Sequence, residues 1–421
     1  MERPVQPSTP MTAAIAIRVL APFAAAYFLS LFFRSINAVI APDLVGEFRL
    51  GAADLGFLTA TYFLTFALFQ IPLGVLLDRF GARRVQAAMV ATAALGALVF
   101  ALGRELPVLA LGRGLIGLGF GGGLMSAYKQ IADWFPKHRL PLLNGLFLGF
   151  GSLGAVIATA PAQAAVDWLG WRGMMLVGAG ATLLAALSLL LAVPERPAAA
   201  IPPPTLVEQL RDLFRVIYRD PLFWRLAPMT MLGFASGSAI QTLWAGPWLH
   251  DVAGFDRPAV ARQLMIMALA LSLGSMFGGV IADGLRRFGI GVTTVAASAS
   301  VLFMAAELGI VLGWIGASTA LWAVFGATFN VVTLNYAALS QHFPPAYAGR
   351  ANAGMNVLST GTAFALQYAI GGVIDLWPRA AGGGYDPRAY AWAFGLALAL
   401  QVAAFAWFLL FRPRAAVTTG P

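Results

Sequence analysis

Arg34 stands inside an apolar stretch, YFLSLFFRSINAVIAPDL (residues 27–44), with Tyr27, Ser30 and Asn37 seven and four residues before it and three after. In a helix this spacing puts all four side chains on one face, a polar stripe centred on a guanidinium. A guanidinium stays protonated and offers five N–H donors in a planar fork. Its chemistry is recognition of an anion such as a carboxylate or phosphate. Two more cations lie in apolar stretches: Arg113, and Lys129 sixteen residues after it. The only acid well inside such a stretch is Glu307. An ionisable group at the centre of a membrane span costs roughly 2.5–3.5 kcal/mol, so it is expected to face a wet cavity or a partner. Gln241 and Trp244 in SGSAIQTLWAGPWL (236–249), Asn335 and Tyr336, Asn356, and Tyr62 are the remaining candidate ligands. No nucleophile–base pair stands out, so enzymatic chemistry is not expected. There are no cysteines and three scattered histidines, so neither a metal nor a cofactor is expected.

These residues are carried by a chain of 421 residues, 59% hydrophobic and 11% charged, with a mean hydropathy of +0.78. That is far below the roughly 25% charge of a soluble chain and implies a helical membrane protein. Twelve candidate spans lie at about 15–42, 55–77, 85–103, 106–131, 140–165, 173–193, 222–249, 260–282, 290–313, 318–341, 351–376 and 389–411. With the N-terminus inside, 17 of the 27 Lys and Arg residues fall in cytoplasmic segments, 7 in outer loops and 3 within spans. Both termini are therefore expected in the cytoplasm. The net charge of +9 is then a topology signal, and nucleic-acid binding is not required.

The chain repeats itself. GVLLDRFGARR (74–84) follows span 2 and GGVIADGLRRFG (278–289) follows span 8, with Asp78 and Asp283 205 residues apart. Phe135 and Phe343, Asn144 and Asn352, and Asp167 and Asp375 are each separated by 208. Two repeats of six spans follow, with residues 1–193 and 222–421 as two helical bundles and 194–221 as a linker. Within the linker, Thr205 and Glu208 are spaced as a capping box before an amphipathic pattern, which predicts a short surface helix. A linker serving only as a connection fits as well. Gly112, Gly114 and Gly117 satisfy G-x-G-x-x-G, but no strand precedes them, and close helix packing explains them better than a dinucleotide site.

With Gly74, Asp78, Arg79, Gly81, Arg83 and Arg84, the loop after span 2 resembles the signature of the major facilitator superfamily, departing from it at Ala82. LGRGLIGLGFGGG (111–123), with Arg113, resembles that family's fourth-helix motif, and LGWR (169–172) fits the approach to span 6. The resemblance covers essentially the whole chain. It implies an all-α fold of twelve transmembrane helices in two six-helix repeats, with spans 1, 4, 7 and 10 lining a central cavity. It also implies gating by Asp78, Arg79, Gly81, Arg83, Arg84 and Lys129, and by Asp283, Arg286 and Arg287 in the second half. Arginines on spans 1 and 4, with YKQIADWFP (128–136), are similar to the organic-anion branches. Two departures stand out: Phe33 and Phe120 occupy positions where those proton symporters often carry acids.

A secondary transporter of a small carboxylate-like anion is expected, acting by alternating access in a bacterial-type inner membrane, as a monomer in the lipid bilayer. Arg34, Asn37, Tyr27, Arg113, Tyr62, Gln241, Trp244, Asn335, Tyr336 and Asn356 are its expected substrate contacts. For Arg113 a structural role is equally open. A drug or metabolite efflux pump, or a non-transporting receptor or assembly factor on the same fold, are the alternatives. The G-x-x-x-G-P run of exporters is matched only in part by Gly149, Gly151, Gly154 and Pro161.

Overall fold

The computed structural model describes residues 13–136, 139–194, 205–380 and 384–411. Arg3, Lys137, Arg196, Arg412 and Arg414, which enter the charge bias, and residues 195–204 of the linker lie outside the described residues. Every regular element described is helical. The first span is α1 (Ala13–Ser35) followed almost in line by α2 (Asn37–Phe48). Then come α3 (Ala52–Phe80) and α4 (Ala82–Leu102). α5 (Leu106–Phe120) and α6 (Gly123–Trp134) share the fourth span, and α7 (Leu140–Ile157) and α8 (Ala160–Ala192) supply the fifth and sixth. After α9 (Leu206–Arg215), the seventh span comprises α10 (Pro221–Ala239), a π-turn at Ile240–Trp244 and α11 (Ala245–Asp251). α12 (Arg257–Arg286) and α13 (Val292–Val311) follow. α14 (Ser318–Phe329) and α15 (Leu334–His342) share the tenth span, and α16 (Pro345–Ile374) and α17 (Pro387–Leu410) complete the chain.

Ten helical stretches among the described residues are long and apolar enough to cross a bilayer. The fifth and seventh spans are not among them, because each departs locally from α geometry. α7 ends at Ile157, and Thr159 (φ −112°, ψ −119°) breaks the chain before Pro161. Proline has no N–H to continue the helix and fits its first turn instead. The fifth span therefore runs from α7 into the start of α8, and α8 turns into the sixth span at Gly170, where φ is +70°. This left-handed backbone suits glycine. The sequence pattern placed a gap between residues 165 and 173, and the non-helical backbone of Gly170 falls within it, so the two helical segments meet there at a kink.

The helices pack through small residues. A Cβ on Gly112 would come within 2.6 Å of the Phe100 main-chain nitrogen, and one on Gly117 would overlap the Tyr62 carbonyl. The glycine run thus lets α5 lie directly on α4 and α3, as small-residue packing in lipid requires. Across the two halves, α3 lies along α16 and α7 along α12. α9 marks one end of the bundle, called here the linker end; the opposite end is the far end. The Thr205 hydroxyl accepts from the Glu208 N–H (3.2 Å), and the Glu208 carboxylate accepts from the Thr205 N–H (2.8 Å), completing the capping box. Hydrogen bonds from Thr205, main chain first, hold the Glu208 carboxyl below its ordinary range. An Arg350–Asp212 ion pair and the buried Leu213 against Gly354 fasten α9 to α16.

Candidate functional site

Arg34 lies in the last turn of α1, facing the other half of the molecule. It donates through one terminal nitrogen to the Ser238 hydroxyl of α10 at 2.6 Å. Its guanidinium carbon sits 5.2 Å from the centroid of the Phe63 ring and 5.3 Å from that of Phe234. Two aromatic faces, one from each half, thus flank the cation. No carboxylate among the described residues pairs with it, and its Nε has no partner. One residue further on, Gln241 donates to Ser35 at 3.2 Å. Arg34 to Ser238 and Gln241 to Ser35 are therefore reciprocal bonds between the first and seventh spans. Gln241 lies near the repeat-equivalent depth of Arg34, and an amide there adds no second charge.

Beyond this layer, towards the far end, the two halves are in direct contact. A Cβ on Gly246 would lie 2.6 Å from the Ala38 carbonyl. Asn37 is fully buried and donates to Thr59 of α3 at 3.0 Å. Trp244 is also fully buried, with its indole N–H 3.3 Å from the Gln367 carbonyl. Asn37 and Trp244 are part of this seal. Arg34 remains partly exposed, as do Tyr27, Tyr336 and Asn356. Tyr27 stacks on Phe147 at 4.9 Å. Tyr336 reaches Ser359 at 3.4 Å. Asn335 is fully buried and donates to Thr230 at 2.9 Å.

Arg113 sits differently. It is 1% exposed and donates to the Phe33 carbonyl at 2.7 Å. Its guanidinium carbon is 5.2 Å from the Tyr62 ring centroid. Its contacts stay within the first half. Phe33 and Phe120, at the two positions where the similar proton symporters often carry acids, stack on one another at 5.8 Å. One aromatic pair thus fills both positions.

The two ends carry matched acids. At the linker end Asp78 forms an ion pair with Lys129 of α6. The partner of Asp78 is thus a lysine of the fourth span. Arg79 lies over Phe80, Gly81 has φ +79°, and Arg83 reaches the Leu190 carbonyl. Arg84, Asp283, Arg286 and Arg287 are exposed at this end. At the far end the Asp375 carboxylate accepts from the Ala52 and Ala53 N–H groups at 2.8 and 2.7 Å, capping the N-terminus of α3 across the halves. Arg379 reaches the Leu50 carbonyl, and Arg257 pairs with Asp43 at 2.7 Å. A vestibule of about 630 Å³ opens among these groups. Asp375 appeared in the sequence only as a repeat anchor. Its place at a helix end was the signal that could have marked it as a cap.

A helical bundle with ten clear spans, two broken ones, a polar layer between its halves and matched acids at both ends defines a polytopic membrane carrier. The chain matches the sequence profile of the Major Facilitator Superfamily over residues 23–367 and belongs to that superfamily. Its solved structural neighbours are transporters, and this protein is a transporter, not an enzyme. The structure is similar to a bacterial homolog of the human lysosomal transporter Spinster in an inward-facing, occupied conformation, with TM-score 0.71 and 20% identity over 95% of this chain and 97% of that one. It is similar to a D-xylose–proton symporter, with TM-score 0.75 and 16% identity over 94% and 98%. It is also similar to the nucleoside transporter NupG, with TM-score 0.72 and 16% identity over 94% and 100%. At these identities the likeness is one of fold. A stretch of 144 residues is 32% identical to the uncharacterized transporter YybO of Bacillus subtilis (strain 168). That match spans 34% of this chain and about a third of YybO.

Proposed function

We propose that this protein is a secondary active transporter that carries a small carboxylate-like anion by alternating access. The observation that carries the reading is Arg34: a half-buried residue whose guanidinium lies between the halves, held by a neutral serine, with no carboxylate among the described residues as counter-ion. A bound anion supplies that counter-ion and can take the fork in a bidentate manner. With Gln241 near the repeat-equivalent depth, the site has one such cation, which favours a monoanion over a doubly charged phosphate. Tyr27, Tyr62, Tyr336 and Asn356 are proposed to complete the site. Asn37, Gln241, Trp244 and Asn335 support it from the surrounding layer, and Arg113 fixes the fourth span beside it.

The proposed units are bundles at 1–193 and 222–421 joined by the linker 194–221. The Lys and Arg bias supports a cytoplasmic linker end and an inner-membrane location with both termini inside. Transport by a monomer is proposed, since one chain supplies both halves of the site. On this reading the far end is the closed outer gate, latched by Asp375, Arg379 and the Asp43–Arg257 pair. Asp78, Arg79, Gly81, Arg83, Arg84 and Lys129, with Asp283, Arg286 and Arg287, form the inner gate. Alternation breaks one latch and makes the other.

The test is uptake of labelled lactate, gluconate and glucuronate, with choline and glucose as controls, into proteoliposomes. The reading predicts uptake of at least one anion, none of choline, and loss of anion uptake in Arg34→Gln. Undiminished anion uptake by Arg34→Gln would contradict the assigned role.

A further inference from the structure

Glu307 is used by nothing described so far. It lies on α13, one turn from its far end, and is 0% exposed. It is the one fully buried acid among the described residues. Its partners are neutral: the Ser236 hydroxyl donates to it at 3.0 Å, and the Gln401 amide at 2.7 Å. Ser236 is two residues from Ser238, the partner of Arg34. On a helix, residues two apart lie about 3 Å apart along the axis and point to nearly opposite sides. α10 therefore stands between Glu307 and Arg34 and touches both through one Ser–Gly–Ser segment.

Gln401 also lines a cavity of about 10 Å³, room for roughly one water. Ser300 and Thr328 lie in the same wall. Their hydroxyls donate to the Ala296 and Val324 carbonyls, leaving lone pairs free to accept. Gln401 thus joins Glu307 to a cavity with room for roughly one water, and α10 lies between Glu307 and the anion site.

Among the described residues, no other charge faces Glu307. α14 and the turn after it hold no titratable residue. On α10, Arg225 is bonded to the Phe408 carbonyl. On α12, Arg257 pairs with Asp43, while Arg262, Asp283 and Arg286 are exposed near the helix ends. On α15, Tyr336 reaches Ser359 and His342 pairs with Asp220. On α17, Arg388 pairs with Asp386 and Tyr390 bonds Asp251.

We propose that Glu307 is a proton-binding site coupled through Ser236–Ser238 to the anion site, which makes the protein a proton–anion symporter. A buried carboxylate beside the site repels a bound anion in a low dielectric, whereas its protonated form does not. Each ligand therefore favours the other, and the coupling is reciprocal. The proton is taken from water on one side, held as the neutral acid, and released on the other. One proton and one monoanion move together with no net charge. The aromatic pair Phe33–Phe120 leaves the first half without a fully buried acid among its described residues, so the proton carrier falls to the second half.

This inference rests on the anion reading, and the experiment separates the two. Proteoliposomes are assayed with labelled lactate, gluconate and glucuronate in two modes: uptake driven by an inward proton gradient, and counterflow exchange without one. Wild type should accumulate anion with the gradient, independently of membrane potential. Glu307→Gln, which keeps the side chain's shape, should lose driven accumulation by about tenfold or more and retain exchange within about twofold. Arg34→Gln should lose both. Infrared difference spectra between acid and alkaline pH should show a protonated-carboxyl band in wild type that is missing in Glu307→Gln. Failure of the proton gradient to drive accumulation in wild type that still exchanges anion, accumulation surviving in Glu307→Gln, or an unchanged carboxyl band overturns the coupling role and leaves the anion reading standing. No transport of any panel anion overturns the anion reading and this inference with it.

Discussion

Arg34 and Arg113 are both arginines inside membrane spans of the same half, and the structure treats them in opposite ways. Arg113 is anchored on a main-chain carbonyl, Phe33 O, under the Tyr62 ring, and all its contacts lie in its own half. Arg34 reaches across to the other half, where it meets a hydroxyl and an aromatic face. A carbonyl is a fixed acceptor that no motion between halves disturbs. A serine hydroxyl on the opposite half is lost when the halves separate, and an anion displaces it readily. On the proposed reading, similar residues in similar apolar surroundings serve opposite ends: one holds a bundle together, the other waits at the surface where the bundles move.

Exchange of roles between the two arginines would break this comparison. The largest effect is expected for Arg34→Gln. Truncating one partner of a buried charged pair costs roughly 2–5 kcal/mol, so anion transport should fall by about a hundredfold or more while the folded protein survives detergent heating. Arg34→Lys keeps the charge but not the fork and should fall between. Arg113→Met should do the reverse. It leaves the Phe33 carbonyl buried without a donor, at roughly 1–3 kcal/mol, so the melting temperature should drop while transport per folded molecule persists.

Much of this was legible in the sequence. The spans were found because lipid demands about 20 apolar residues in a row. α9 was legible because a capping box and an apolar stripe are local features. Arg34 stood out because a charge in such a stretch is costly. The breaks in the fifth and seventh spans were harder, because a π-turn or a non-helical residue such as Thr159 leaves the hydropathy unchanged. The stripe through Arg34 also misled at its end. Asn37 shares the helical face, but there the halves have already met, and it is buried against Thr59. Periodicity fixes a face and says nothing about where along it two bundles close. Ser238 as partner of Arg34, and Asp375 as a cap on α3, are contacts between distant segments that no local pattern encodes.

Two smaller effects sharpen the contrast between fixed and movable contacts. Asp375→Ala removes a carboxylate from a helix N-terminus, worth about 0.3–1 kcal/mol, and should loosen the far-end gate a few-fold. The chain has no cysteine, so Ala38→Cys supplies the only thiol. Its labelling by an impermeant maleimide from the far side should speed up when Asp375→Ala is added. The smallest effect concerns a clasp within the first half. Partial burial works against the Glu47 carboxylate, but hydrogen bonds from Arg172 and Trp171 outweigh it and hold its pKa below the ordinary value of 4.5. A depressed carboxyl stabilises above its unfolded pKa and loses that contribution as the pH falls through the folded one. Thermal stability should therefore fall slightly more steeply below pH 4.5 in wild type than in Glu47→Gln.

The central claim is that the missing counter-ion of Arg34 is the transported anion. Ligand-induced stabilisation tests it most directly, since whatever binds the folded state raises its melting temperature by mass action. Lactate, gluconate, glucuronate, choline and glucose are titrated against wild type, Arg34→Gln and Arg113→Met at constant ionic strength. The account predicts that at least one anion raises the melting temperature of wild type and of Arg113→Met in a saturable way and leaves Arg34→Gln unmoved. Equal stabilisation of Arg34→Gln by that anion, or stabilisation of wild type by choline or glucose alone, would contradict it.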